Sequence, residues 1–139
     1  MNFIPNKFKF KKHRKGKHFN KIYKNVNYIQ LSYGSVGLKC LESGRVTSKQ
    51  IEATRSSINK IIKKSGKIFI NIFPDTPVSK KPLEIRMGKG KGGIDRWIYK
   101  IQPGVVICEI ETNLIALGIK ALKRAQIRFP FKTKILYKI

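Results

Sequence analysis

The chain has 139 residues, the size of one ordinary domain, and its 41% apolar content is enough for a single core. Lys and Arg number 31 against 7 Asp and Glu, a formal net charge of +24, so an isolated molecule repels itself. Such an excess calls for a polyanionic partner, of which nucleic acid is the commonest. Apolar runs of a few residues fall far short of the roughly 20 that span a bilayer, so no transmembrane helix, membrane partner or secretory h-region is expected.

Residues 1–28 form a basic amino-terminal arm; the first acidic residue of the chain is Glu42. Within KFKFKKHRKGKHFNKIYK there is no apolar stripe of helical period, and lysine and phenylalanine alternate at its start. The arm is expected to order only along a phosphate backbone, with Phe3, Phe8, Phe10 and Phe19 suited to stacking on bases. A solvated tail and a mitochondrial transit peptide are the other readings. The scarcity of Arg and Ser and the missing helical moment stand against the second.

Residues 29–139 form one α+β domain with a mostly antiparallel sheet, two packed helices and a projecting glycine- and lysine-rich loop. Its first part, YIQLSYGSVGLKCLES, repeats apolar residues at period two around a bend at Gly34 and Gly37, which predicts two short strands. A turn at Gly44 and Arg45 follows, and Thr47 and Gln50 have the spacing of a capping box. The next helix places Ile51, Ile58 and Ile62 on one face, and Gly66 is its expected stop. Its lysine-rich outer face reads either as a solvated surface or as an RNA contact.

KIFINIF (67–73) alternates as a strand and ends at Pro74. Residues 83–87 are expected to be extended, and residues 94–101 and 105–111 to be strands flanking a tight hairpin turn, Gln102-Pro103-Gly104. Asn113 caps a predicted second helix over 114–128, with an apolar seam of Leu114, Leu117, Ala121 and Ala125. Gly118 inside it costs roughly 1 kcal/mol relative to Ala. Pro130 stops that helix, and KTKILYKI supplies a last strand. Cys40 and Cys108 lack metal-site spacing and read as buried, reduced thiols.

In IRMGKGKGG, Gly88, Gly90 and Gly93 match G-x-G-x-x-G, the pattern of dinucleotide-binding turns. Such a turn needs a helix after its last glycine to receive the pyrophosphate. Here IDRWIY follows with period two, so a strand is expected and a nucleotide cofactor is not. The segment 74–93 instead reads as a mobile cationic finger joining two strands that pair with each other. Glycine permits close approach to phosphate, and Lys80, Lys81, Arg86, Lys89 and Lys91 supply charge.

GRVTSKQIEATR (44–55), KIFINIFPDTPVSKKPLEIRMGKGKGG (67–93), and the spaced Trp97 and IQPG resemble signature segments of the L-sixteen family of large-subunit ribosomal proteins. The resemblance runs from about Ser32 to Pro130 in order and spacing, RMGKGKG being its most specific element. It implies a non-catalytic structural component of the large ribosomal subunit, without cofactor, metal or small-molecule substrate. Large-subunit rRNA, aminoacyl-site tRNA and neighbouring ribosomal proteins are the implied partners. The candidate rRNA contacts are Lys7, Lys9, Lys11, Lys12, Arg14, Lys15 and Lys17 in the arm, with Arg45, Lys49 and Arg55. By the same resemblance Arg86, Met87, Gly88, Lys89, Gly90 and Lys91 approach tRNA near the peptidyl transferase centre, and Arg86 matches an arginine that bacterial members can carry hydroxylated. Bacterial relatives have an arginine-rich arm, whereas this one is lysine-rich and shifted by one residue around His13.

The rival readings are a free-standing RNA chaperone or assembly factor and a nucleotide-dependent RNA-modifying enzyme. The seven scattered carboxylates and two arm histidines assemble no catalytic grouping. The composition, 24 Lys to 7 Arg with Ile the favoured aliphatic residue, suggests an AT-rich gene. That bias suggests an organelle, and because the arm departs from the usual bacterial-type start a mitochondrial ribosome is expected, with a plastid ribosome or a bacterial cytoplasm as alternatives.

Overall fold

Two antiparallel sheets and two helices make up the computed structural model, which describes residues 31–138 and, before them, residues 4, 5, 7, 9, 10 and 12–14. The elements are β1 (Val36–Cys40), β2 (Gly44–Thr47), α1 (Ser48–Ile62), β3 (Gly66–Ile70), β4 (Thr76–Lys80), β5 (Gly93–Ile101), β6 (Val106–Thr112), α2 (Ile115–Gln126) and β7 (Thr133–Tyr137). Four strands form one sheet in the order β3-β6-β1-β7, and three form the other in the order β2-β5-β4. The α+β expectation holds. The amino-terminal side of the expected domain, residues 29 and 30, lies outside the described residues.

The core forms where β1 and β6 pair and α1 packs on α2. Val36, Leu38, Ile58, Ile62, Ile110 and Leu122 are buried there almost completely. Burying side chains of this size contributes roughly 1.5–3 kcal/mol each, the main favourable contribution to the fold. Cys40 and Cys108 are free and buried in the same cluster. Burial pushes their thiols up to about 11 and about 12 respectively, which keeps both protonated and unreactive.

The capping box at α1 is present: Gln50 N–H donates to Thr47 Oγ1 at 3.3 Å, and Thr47 N–H donates to Gln50 Oε1 at 2.9 Å. Ile51, Ile58 and Ile62 face inward as the spacing predicts. The helix stops earlier than expected. Lys63 takes the left-handed conformation (φ 51°) and its N–H donates to Asn59 O, while Gly66 already opens β3.

The second helix also differs at its start. Asn113 is not its cap: Leu114 holds that position without a side-chain bond, and Thr112 Oγ1 accepts from Leu114 N–H at 3.2 Å. Its buried seam is Gly118, Ala121, Leu122 and Ala125, whereas Leu114 is exposed. A Cβ at Gly118 would lie 3.1 Å from Thr112 Cγ2 and 3.3 Å from Val36 Cγ2, so the glycine that weakens the helix locally lets it sit close to the sheet.

Pairing overturns four further expectations. Residues 31–33 are not a strand, because the backbone at Tyr33 and Gly34 is engaged by a side chain. Gly44 and Arg45 are not a turn but the start of β2, paired with Ile101 and Lys100. The Gln102–Gly104 turn does not close a hairpin, since β5 and β6 belong to different sheets. It is held from outside, by Gly104 N–H donating to Cys40 O at 2.7 Å and Cys40 N–H donating to Val105 O at 2.9 Å. Finally, β3 pairs with β6 and not with β5; residues 76–80, read as part of a loop, form β4 along the edge of β5. Pro77 fits there because β4 is an edge strand.

Glu109 on β6 is 1% exposed and accepts three bonds: from Tyr33 N–H at 2.7 Å, Gly34 N–H at 2.8 Å and Asn71 Nδ2 at 2.7 Å. Burial raises its carboxyl, but these donors together outweigh that, and the net shift is downward. The carboxylate therefore stabilises the fold above the unfolded carboxylate range, near 4.3, and the contribution is lost as pH falls through the lower folded value. Glu109→Ala is expected to cost roughly 3 kcal/mol at neutral pH by leaving buried donors unpaired. Denaturant titration should show the gap between wild type and variant shrinking as the pH is lowered through that range.

Candidate nucleic-acid interface

The three-stranded sheet gathers the basic residues. Arg45 on β2 stands directly opposite Lys100 on β5, and Arg96 lies on the same face of β5 by the period-two rule. Two cations are thus presented side by side on one face of the ladder. A cleft of about 430 Å³ opens over this face. It is lined by Arg45, Arg96 and Lys100 from the strands, Lys91 from the root of the finger, and His13 and Arg14 from the arm. No carboxylate lines it. Asp95 reaches Arg96 only at 3.9 Å on an exposed surface, a contact that contributes little.

Arm and finger hold each other. Lys12 Nζ donates to Lys91 O at 2.7 Å, and Lys91 Nζ donates back to His13 O. Lys7, Lys9, Lys12 and Arg14 are exposed, and Lys9 Nζ lies 5.8 Å from the centroid of the Phe10 ring. The candidates Lys11, Lys15 and Lys17 lie outside the described residues, as do Phe3, Phe8, Phe19 and His18.

The remaining predicted contacts are not brought together. Lys49 is exposed in the first turn of α1 but does not line the cleft. Arg55 is engaged by Glu52 one turn back, Nη2 to Oε1 at 2.6 Å, and this pairing raises the guanidinium and lowers the carboxyl. Its charge is thus partly answered within the protein. Arg96 and Lys100 are absent from the sequence-derived set. The signal was present in RWIYK, where cations recur at i and i+4 of a strand and so share one face.

The finger is shorter than expected, residues 81–92 at the end of the β4–β5 ladder, where Lys80 pairs with Gly93. Residues 83–87 are not a strand. Gly88 (φ 94°), Lys89 (φ 48°) and Gly90 (φ 86°) follow one another in the left-handed region, and a Cβ at either glycine would touch nothing. These glycines are required by backbone conformation and not by crowding. Lys81 Nζ donates to Gly88 O across the loop. Leu83 and Met87 are 97% and 99% exposed, and Ile85 is also exposed, so the finger carries apolar side chains among its cations. After Gly93 comes β5 and not a helix, which removes the amino terminus that a dinucleotide-binding turn requires. Among the described residues no group of three or more metal-ligating side chains occurs, and no helix is long and apolar enough to cross a membrane.

The sequence of the chain has clear relatives. The family model described as ribosomal protein L16p/L10e matches residues 5–136. Large ribosomal subunit protein uL16c of Euglena longa is 48% identical over 134 residues, 96% of this chain and 97% of the relative. Large ribosomal subunit protein uL16 of Acinetobacter baylyi is 43% identical over 132 residues, 95% of this chain and 94% of the relative. The chain belongs to the L16 family of large-subunit ribosomal proteins, of bacterial and organellar type.

Lys91→Gln removes the bond to His13 O and Lys12→Gln the bond to Lys91 O, so the two substitutions together should release the arm without touching the core. Chymotrypsin cleavage after Phe10 is expected to speed up several-fold in the full chain with its Tm unchanged, because exposed lysine contacts contribute little to global stability.

Proposed function

We propose that the chain binds large-subunit rRNA through the cleft and arm, and that its finger contacts aminoacyl-site tRNA near the peptidyl transferase centre. The observation that carries the reading is the cleft, where Arg14, Arg45, Lys91, Arg96 and Lys100 converge with no carboxylate among the lining residues. A phosphate backbone placed there takes bidentate contacts from the arginines and meets the charge of the lysines. Lys7, Lys9 and Lys12 extend the track along the arm, Lys11, Lys15 and Lys17 are kept as rRNA contacts on the basic sequence alone, and neighbouring ribosomal proteins complete the surroundings. Lys49 faces solvent and is kept as a peripheral contact, whereas Arg55 serves mainly its pair with Glu52.

In the finger, Arg86, Lys89 and Lys91 supply charge while Met87 and Leu83 offer apolar contact to ribose and base. Gly88 and Gly90 keep the backbone narrow. Arg86 is exposed and accessible to a hydroxylating enzyme, and intact-mass analysis would detect the added oxygen. The chain acts here by shape and charge and performs no catalytic step of its own. A plastid or bacterial-type ribosome is the setting that the named relatives support; they give none to the mitochondrial expectation.

Binding to large-subunit rRNA should weaken steeply with salt, with a log–log slope of roughly −0.9 per duplex phosphate contacted. Arg45→Gln combined with Arg96→Gln is expected to make that slope shallower by about one to two contacts. An unchanged slope would remove the cleft from the interface. Arg86→Ala is expected to slow tRNA accommodation or peptide-bond formation in subunits that retain the protein. Loss of the protein from those subunits with normal elongation by the remainder would contradict a role at the tip.

A further inference from the structure

The outer surface of the helix pair carries a second cluster of cations that shares no residue with the cleft. Ala53, Ser56, Ser57 and Lys60 lie at i, i+3, i+4 and i+7 of α1 and so form one stripe, and Arg124 and Arg128 approach it from α2 and the turn after it. Together they line a groove of about 230 Å³ with no carboxylate in its wall. Lys60 and Arg124 stand in the last turns of their helices, where a cation also complements the helix dipole. That accounts for two charges but not for the hydroxyl between them.

Ser57 is 6% exposed, and its Oγ is the one buried side-chain polar atom among the described residues without a hydrogen-bond partner. Other hydroxyls nearby are satisfied: Thr54 Oγ1 donates back to Gln50 O at 2.8 Å, and Ser65 Oγ donates to Ile62 O at 2.7 Å. Leaving a buried hydroxyl unpaired is unfavourable by roughly 1–3 kcal/mol, so a native structure that keeps one calls for an explanation. A hydroxyl donor set among one lysine and two arginines fits an acceptor-only group with several oxygens and negative charge, which describes a phosphate.

We propose that the groove between α1 and α2 is a separate seat for one RNA backbone phosphate, with Ser57 Oγ–H donating to it and Lys60, Arg124 and Arg128 supplying charge. This rests on the reading of the chain as an rRNA-binding protein and adds a second point of attachment, on the helices, to the one on the three-stranded sheet. A second seat on the rigid domain adds a constraint on the protein's orientation on RNA to those set by the cleft and the finger.

The test uses the full-length chain and in-vitro transcribed large-subunit rRNA, and compares wild type with Ser57→Ala, with Lys60→Gln/Arg124→Gln/Arg128→Gln, and with the cleft pair Arg45→Gln/Arg96→Gln. Ser57→Ala is expected to leave the Tm of the free protein unchanged or raised, since it removes an unpaired buried hydroxyl, while weakening RNA binding by about tenfold. The triple variant should make the salt slope shallower by roughly 0.7–0.9, the value of one contact, and should add to the effect of the cleft pair. A lower Tm with unchanged RNA affinity in Ser57→Ala would make the hydroxyl merely structural and overturn the proposal. Wild-type affinity and slope in both groove variants, with weakened binding in the cleft pair, would overturn the groove and leave the cleft standing. The same binding result with loss of the triple variant from assembled subunits would replace phosphate by an acidic neighbouring protein. No salt-dependent binding by wild type would remove the parent reading as well.

Discussion

Mutual repulsion among 31 basic side chains is the constraint on which this structure is built. Among the ion pairs that answer it are Arg55 with Glu52, Arg96 with Asp95 and Lys132 with Glu42, all between side chains that keep much of their exposure. Pairs of this kind contribute little. Stability comes instead from the neutral core between the four-stranded sheet and the helices. Most of the described cations are left at the periphery, Lys39 on β1 being buried, and several are directed into shared clefts, an arrangement that costs free energy in the isolated chain and is offset when a polyanion arrives.

The most deeply buried carboxylate of the described residues has a scaffolding task. Glu109 draws in the backbone at Tyr33 and Gly34 and the side chain of Asn71, and so fixes where the chain enters β1. Its position on the central β6 ties that entry point to both neighbouring strands. The stacking of Tyr33 on Phe69, with centroids 5.4 Å apart, secures the same corner from outside. One acidic residue on an otherwise basic chain thus organises the base from which the sheet extends.

How much of this could be read from the residues depends on the range of the interaction that decides each element. Local rules succeeded: the Thr47–Gln50 box, the inward face of Ile51, Ile58 and Ile62, and the strand after Gly93 that excluded a cofactor turn all follow from neighbours a few positions apart. Partner choice did not follow. Nothing in residues 76–80 announces a strand, because Pro77 discourages one except at an edge, and the edge is defined by β5. The turn at Gln102–Gly104 has hairpin chemistry and its own Val105 N–H to Gln102 O bond, yet the bonds that anchor it go to Cys40, more than sixty residues away by the numbering. From the sequence Glu109 and Glu111, at i and i+2 of one strand face, read as a local charge balance on a basic chain. Only pairing with β1 and β3 buries Glu109, and the Tyr33, Gly34 and Asn71 donors that hold it are distant in sequence. Of the site, the finger and Arg45 were legible from motif resemblance, whereas Arg96 and Lys100 needed the knowledge of which face of β5 is open. Ser57, small and unremarkable in sequence, gains meaning only from having no partner in the fold.

A density map of a large ribosomal subunit carrying this chain tests the central claim most directly, because it shows what fills the cleft over β2, β5 and β4. The account predicts rRNA phosphates in contact with Arg45, Arg96 and Lys100, with the finger tip at Arg86 and Met87 directed to the aminoacyl-site tRNA. A cleft open to solvent or covered by protein, with the finger pointing away from the tRNA path, would contradict it.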